Sequence, residues 1–320
     1  MANNTSLNAV DGIEILTLQD NYIEITATDH SDIIRRAVGV SANGIIDTSI
    51  QAEHGFAALV NITANDQTRT LLFDFGFLAE GAAYNARKLG VSMNSVEQMA
   101  LSHGHSDHFG GFDALVRMIE KPGIDLVLHP GAFKYPRYLK FSEKLKAYFP
   151  RVEKESIIQA GCNLATTADP YPLLDGNALF LGEVERTNDF EKGFPIAFCV
   201  ANGVETWDPI EDDTSIVMNL KGKGLVVLSG CAHAGIVNSV NYARKITGID
   251  KVHAVMGGFH LSGPLFEPII GRTTEELKKI NPDYVVPCHC TGRKAIMNIE
   301  REMPDQFILN MSGTKLTFKA

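Results

Sequence analysis

The segment Ser102-His103-Gly104-His105-Ser106-Asp107-His108 places three imidazoles and one carboxylate within six consecutive positions. Neutral imidazole and carboxylate are the ordinary ligands of a borderline divalent cation such as zinc. One ion does not need four ligands from so short a stretch. The spacing therefore directs some of these side chains to one metal and the rest to a second. Two adjacent cations would lower the pKa of a bridging water and present hydroxide to an ester or phosphoester. The bland alternative, a polar loop with incidental histidines, leaves the tight clustering unexplained.

Such a cluster needs strands to carry it. Alternating and β-branched residues predict strands at 13–18 and 23–28, and a hairpin of 56–63 with 69–75 around the polar turn Asn65-Asp66-Gln67. A helix is expected at 79–89, ended by Gly90. A short strand at 99–102 runs into the histidine cluster, and a helix at 112–120 and a strand at 126–129 follow it. Residues 130–161 are aromatic, basic and irregular, and read as an insertion of helices and loops. Beyond it, strands are expected at 178–181, 215–220, 224–228, 251–256, 284–287 and 314–319, and helices at 236–246, 274–280 and 293–301. Hairpins come early and helices follow strands in both halves. That pattern suggests two mixed sheets packed together with helices outside. No GxGxxG follows the first strand, so a dinucleotide-binding fold is not indicated.

In this setting the HxHxDH pattern of residues 103–108 resembles the hallmark of the metallo-β-lactamase superfamily. Leu71-Leu72-Phe73-Asp74-Phe75-Gly76 is similar to its strand-ending Asp that supports the metal loop, and Gly110-Gly111 follows the cluster as in many members. The resemblance covers nearly the whole chain. It implies an α/β fold of αββα four-layer sandwich type with a dinuclear metal site at one edge. It assigns His103 and His105 to the first metal, and Asp107 and His108 to the second. Asp107 would also orient the nucleophile. The superfamily places its last histidine after an apolar strand, which selects His289 for the second metal. Strand alternation turns the flanking Cys288 and Cys290 away from the face His289 uses.

The middle ligands depart from the superfamily pattern. No His stands near Asp212-Asp213-Thr214-Ser215, and Cys231 occupies the place of the bridging Asp. His233, two residues on, is the better candidate for the first metal, with Cys231 as a thiolate ligand the minority reading. Asp74, Asp213 and His54 are candidates for supporting roles. These departures, with Glu53-His54 and residues 189–195, 229–235, 257–261 and 287–292, resemble the branch of 7,8-dihydropterin-6-methyl-4-(β-D-ribofuranosyl)-aminobenzene-5'-phosphate synthases. That resemblance implies an alternative chemistry, a transferase joining a pterin diphosphate to an aminobenzene ribose phosphate.

His260, after the 251–256 strand and a Gly-Gly turn, is a candidate to bind a substrate oxyanion or act as an acid. The competing reading is a structural histidine. His30, His129 and His253 are read as structural. Arg137, with Lys134 and Lys140, is a candidate to meet a phosphate, against the simpler role of a solvated cover over the core.

The chain has 320 residues, 45% hydrophobic and 21% charged, an ordinary globular composition. Length alone allows two domains, but ligands spread from His103 to His289 must converge, so a single domain over 1–320 is expected. The net charge of -9 argues against a basic nucleic-acid face. No window approaches the roughly 18 apolar residues of a membrane span, and the first ten residues lack the pattern of a signal peptide. Five cysteines without a CxxC pair fit a reducing cytoplasm. The expected cofactors are two divalent ions, zinc first, with manganese or iron accepted by the same donors. The expected partner is a small, phosphorylated molecule, with homo-oligomerisation open. Hydrolysis is the leading chemistry. A non-catalytic metal-binding protein is disfavoured by the intact cluster. A flavin-partnered di-iron protein would carry Glu where this chain has His105.

Overall fold

The computed structural model describes residues 6–39, 44–46 and 49–320. Residues 1–5, part of the stretch read for a signal peptide, lie outside it. Strand alternation accounts for the first layer. In Gly12–Gln19, Ile13 and Ile15 turn to one side and Leu18, past an irregular step, to the other. Val60 and Ile62 oppose Leu59 in the same way, and Leu71 and Phe73 oppose Leu72. Both faces of this sheet are therefore buried. It has eight strands in the order Asn163–Thr166, Asp125–Leu128, Val96–Ala100, Gln67–Phe73, Ala57–Ala64, Gly12–Gln19, Lys315–Lys319 and Ile34–Arg35.

A second sheet of seven strands centres on Ser215–Leu220, Gly224–Ser229, Val252–Gly258 and Tyr284–Cys288. One buried cluster joins Ile15, Val60, Leu71 and Phe73 to Ile216, Met218, Leu228 and Met256, so the sheets pack face to face. Helices Gly81–Lys88 and Phe112–Ile119 cover the outside of the first sheet. Helices Ile236–Thr247, Ile270–Ile280 and Arg293–Glu302 cover the second. The result is the expected αββα sandwich. No helix among the described residues is long and apolar enough to cross a membrane.

Two expectations are corrected. Residues 23–28 form no strand. The chain leaves the sheet after Gln19, and Ile34–Arg35 takes the edge beside Lys315–Lys319 instead. Residues 130–161 are not mainly helical. Arg137–Ser142 and Leu145–Tyr148 form a hairpin that joins Ala197–Ala201 and Val204–Trp207 in a four-stranded sheet. The partners lie some sixty residues downstream, and local pattern cannot reveal such a pairing.

Candidate metal centre

The candidate residues lie where strands end. Gly224–Ser229, Val252–Gly258 and Tyr284–Cys288 run parallel, with Ser229 level with Gly257 and Gly258 level with Cys288. Their following loops carry Cys231 and His233, His260, and His289. In the facing sheet, Gln67–Phe73 and Val96–Ala100 also run parallel and end at Asp74 and at the histidine cluster. Side chains distant in sequence thus meet at one edge of the sandwich.

Two groups of donors form there. The ligand atoms of His103, His105 and His233 all lie within 4.8 Å of one another, and so do those of Asp107, His108, Cys231 and His289. The groups adjoin, with the rings of His103 and His108 4.3 Å apart. In the second group His108 Nε2 is 3.0 Å from Cys231 Sγ and 3.2 Å from His289 Nε2. Asp107 Oδ2 is 3.2 Å from His289 Nε2 and 3.6 Å from His108 Nε2. Ligands around a tetrahedral ion at ~2.0–2.3 Å stand ~3.3–3.8 Å apart, so these spacings are close to those of a shared cation. In the first group, His103 Nε2 and both ring nitrogens of His233 are buried without any hydrogen-bond partner. Buried polar atoms are rarely left so. The donors present therefore fit divalent cations.

The charge states agree with that fit. Burial, reinforced by neighbouring imidazoles, pushes His103 and His233 well below the ordinary histidine value. Burial lowers His105 to about 3 and His289 to about 4. All four are neutral at physiological pH, with lone pairs available. His108 runs the other way. Burial opposes its charge, but the Asp107 and Asp74 carboxylates outweigh it and raise its pKa. Burial also opposes ionisation of Asp107, yet His108 and His289 hold it well below the usual carboxylate range. Burial and the adjacent Cys290 push the Cys231 thiol up, so a cation must displace its proton.

A supporting layer orients these donors. Asp74 accepts from Ser102 N and Oγ, at 2.7 and 2.8 Å, and from His108 Nδ1 at 2.6 Å. A Cβ at Gly230 would collide with Ser102 Oγ and lie 2.7 Å from Asp74 Oδ2, so the close approach of the two sheets needs glycine there. Asn21 Oδ1 lies 3.2 Å from His289 Nδ1, and Asp20 Oδ1 accepts from His289 N at 2.9 Å. Ala232, His260 and His289 all adopt positive φ, at 47°, 46° and 47°. Such strain gathers at functional sites because the surroundings hold it in place.

The structure sorts the remaining candidates. Asp213 is buried beside the site. Its Oδ2 accepts from Ala234 N at 2.9 Å, and burial raises its pKa to about 7. The His54 side chain is 64% exposed, and its Nε2 lies 3.8 Å from Asp107 Oδ2. His260 lies against His233, ring centroids 4.1 Å apart, and lines an adjoining cavity. Burial lowers it to about 3, so its imidazole is neutral and offers an oxyanion a ring N–H rather than a full charge. The expectation for Arg137 is corrected. It is buried, binding Asp208 at 2.7 Å and Asp212 at 2.8 and 2.9 Å, and is closed to a phosphate. Lys134 and Lys140 are likewise committed, to Glu211 and to Glu205. Cys288 points into the core as alternation requires, but the strand stops there. Cys290 therefore comes back beside Cys231, its Sγ 3.5 Å from the Cys231 carbonyl.

Sequence reasoning missed Asp20, Asn21, Asp212 and Phe149. Asp212 accepts from Gly104 N at 2.8 Å and ties the metal loop to Arg137. Phe149 stacks on His105 at 4.0 Å. Only Asp20-Asn21 carried a local signal, as polar residues directly after an apolar strand.

No family model matches the chain. It is 31% identical over 316 residues to the 7,8-dihydropterin-6-methyl-4-(β-D-ribofuranosyl)-aminobenzene-5'-phosphate synthase of Methanocaldococcus jannaschii, covering 98% of this chain and 99% of that protein. An uncharacterized protein of the same organism is 31% identical over 257 residues, 78% of this chain and 88% of its own length. Among solved structures, a metal-dependent hydrolase of the β-lactamase superfamily shares the fold, with a TM-score of 0.71, 24% identity, and coverage of 96% of this chain and 100% of that one.

Proposed function

We propose that this chain, which has the metallo-β-lactamase fold and belongs to the family of the dihydropterin-ribofuranosyl-aminobenzene-phosphate synthase, is a metal-dependent condensing transferase. The reaction joins a dihydropterin, carried as its 6-methyl diphosphate ester, to an aminobenzene ribose phosphate. The amine nitrogen forms a bond to the methylene carbon, the bond from that carbon to the diphosphate oxygen breaks, and the diphosphate leaves with the electron pair. The amine proton passes to solvent. The observation that carries this reading is the pair of adjoining donor groups in a chain that aligns end to end with a named synthase.

His103, His105 and His233 would hold one cation, and Asp107, His108, Cys231 and His289 the other, with zinc suited to the mixed nitrogen and sulfur donors. Bound there, divalent cations supply the positive charge that draws electrons into a departing diphosphate. The chain's own groups do the rest. Asp74 and Asn21 set the ring orientations of His108 and His289. Asp107 keeps its charge beside both. The cavity beside His233, of about 470 Å³, has aromatic walls that suit a flat ring. Donors drawn from residues 103 to 289 support one domain over 1–320, and five unpaired cysteines support a reducing compartment.

Hydrolysis, the first expectation from the motif, would use the same donors with water in place of the amine. Incubation of the metal-loaded protein with 6-hydroxymethyl-7,8-dihydropterin diphosphate and the aminobenzene ribose phosphate separates the two. Mass spectrometry should find the C–N product in step with diphosphate release, and neither in His103→Ala. Diphosphate release without C–N product would overturn the transferase reading in favour of hydrolysis.

A further inference from the structure

Two cavities border the first donor group. One, of about 470 Å³, is lined by Trp207, Phe266, Lys192, His233 and His260 among others. The second, also of about 470 Å³, is lined by Gly104, Leu139, Tyr148, Phe149 and Arg151 among others. The histidines stand between them. His233 lines the first cavity. His105, 5.0 Å from His233 between ring centroids, stacks at 6° on Phe149, which lines the second. The first cavity thus reaches the donors through His233, and the second comes up to them behind Phe149 and the chain on either side of His105, at Gly104 and Ser106.

We propose that the cavities are separate seats for the two substrates, the pterin ring in the Trp207 cavity and the aminobenzene ribose phosphate in the Phe149 cavity. The assignment rests on the condensing reaction proposed above. It follows from the difference between the walls. Trp207 is the one tryptophan of the chain. Its indole is 40% exposed, and its Nε1 donates to Phe194 O at 2.9 Å, which fixes the ring plane. A Cβ at Gly193 would come within 3.2 Å of that indole, so the small residue keeps the ring in place. Phe266 stands edge-on to both Phe194 and His260, with centroids 5.0 and 4.3 Å apart. Broad flat walls of this kind suit a wide heteroaromatic ring. Lys192 adds a cation suited to diphosphate oxygens.

The Phe149 cavity is more apolar and narrower in chemistry. Its one charged lining residue is Arg151, whose guanidinium sits 5.5 Å over the Tyr135 ring and whose Nε is 3.5 Å from Glu153. An apolar slot with one guanidinium matches a single benzene ring joined to a phosphate monoester.

Calorimetric titration of the metal-loaded full chain tests this without turnover. The probes are 6-hydroxymethyl-7,8-dihydropterin and the aminobenzene ribose phosphate. Trp207→Leu should weaken the pterin about tenfold and leave the amine within twofold, and Trp207→Phe should recover most of the loss, separating stacking from damage to the fold. Arg151→Ala should weaken the amine about tenfold and leave the pterin unchanged, and it should erase the preference for the phosphorylated amine over its dephosphorylated form. Variants that move the other ligand, both ligands equally or neither overturn the assignment. Wild-type protein that makes the C–N product while showing such a pattern loses only the seat assignment. Wild-type protein that makes no C–N product loses the transferase reading, and the titrations still decide which cavity binds a pterin.

Discussion

His108 Nδ1 lies 2.6 Å from Asp74 Oδ2, and both side chains are fully buried. That one contact settles which nitrogen of His108 faces the second donor group. With Nδ1 bound to the carboxylate, Nε2 is left to meet Cys231, His289 and Asp107. Asp74 ends a strand of one sheet, and His108 sits in the short helix Ser106–Phe109 that follows the next strand. The orientation of a candidate ligand is thus set by strand pairing.

Removing the charge of Asp74 should loosen that orientation. Asp74→Asn is expected to weaken metal binding about 10–100-fold, the usual effect of losing such a partner. Chelator competition on the folded variant measures it. Unchanged affinity would mean that His108 needs no help from Asp74.

The two donor groups predict separable losses. His103→Ala should lower the metal-to-protein ratio by one while the second group stays loaded, and Cys231→Ala should do the converse. Elemental analysis after dialysis reads the ratio, with far-ultraviolet circular dichroism as the check on folding. Equal loss of both metals in each variant would show that the groups bind as one unit.

Arg137 is predicted to serve stability. It is buried against Asp208 and Asp212, and Asp212 also accepts from Gly104 N in the metal loop. Arg137→Met leaves two buried carboxylates without their cation, so denaturant unfolding should show a loss of about 3–5 kcal/mol. A loss below about 1 kcal/mol would restore the case for a substrate role.

The same pair sets an acid limit. Burial opposes the Asp212 charge, but Arg137 and the Gly104 amide outweigh it and hold its folded pKa well below the ordinary aspartate value. The unfolded chain then binds the proton more readily. The stabilisation is present above about pH 4 and is lost as pH falls through the lower folded value. Below pH 4 the wild type should lose stability more steeply than Asp212→Asn, as equilibrium unfolding across pH would show.

Metal removal should also destabilise the fold. Anything that binds the folded state alone adds RT ln(1 + [L]/Kd), or about 2.7 kcal/mol at a hundredfold excess over Kd. Chelation should therefore lower the thermal midpoint by several degrees, and added zinc should restore it. An unchanged midpoint would argue that the donor groups hold no cation in solution.

Local pattern was enough for much of this protein. His103, His105, Asp107 and His108 could be singled out because they sit within six residues, and a ligand cluster carried on one loop is written in consecutive letters. The strands that form the sandwich were legible because side-chain alternation has a period of two. Pairings between distant segments were not legible. The hairpin Arg137–Ser142 with Leu145–Tyr148 depends on partners at 197–207, so its aromatic and basic residues looked like an irregular cover. The same distance hid the role of Arg137, whose carboxylates lie more than seventy residues away. Cys231 remained a minority ligand for the same reason. Only the level endings of the parallel strands place its thiol 3.0 Å from His108 Nε2. Residue types alone named the donors, because the capacity to ligate belongs to the residue, but they left hydrolysis and condensation both open. The tertiary structure decided how the donors divide, which cations are spent on buried carboxylates, and which walls remain open, because those depend on distances between residues far apart in the chain.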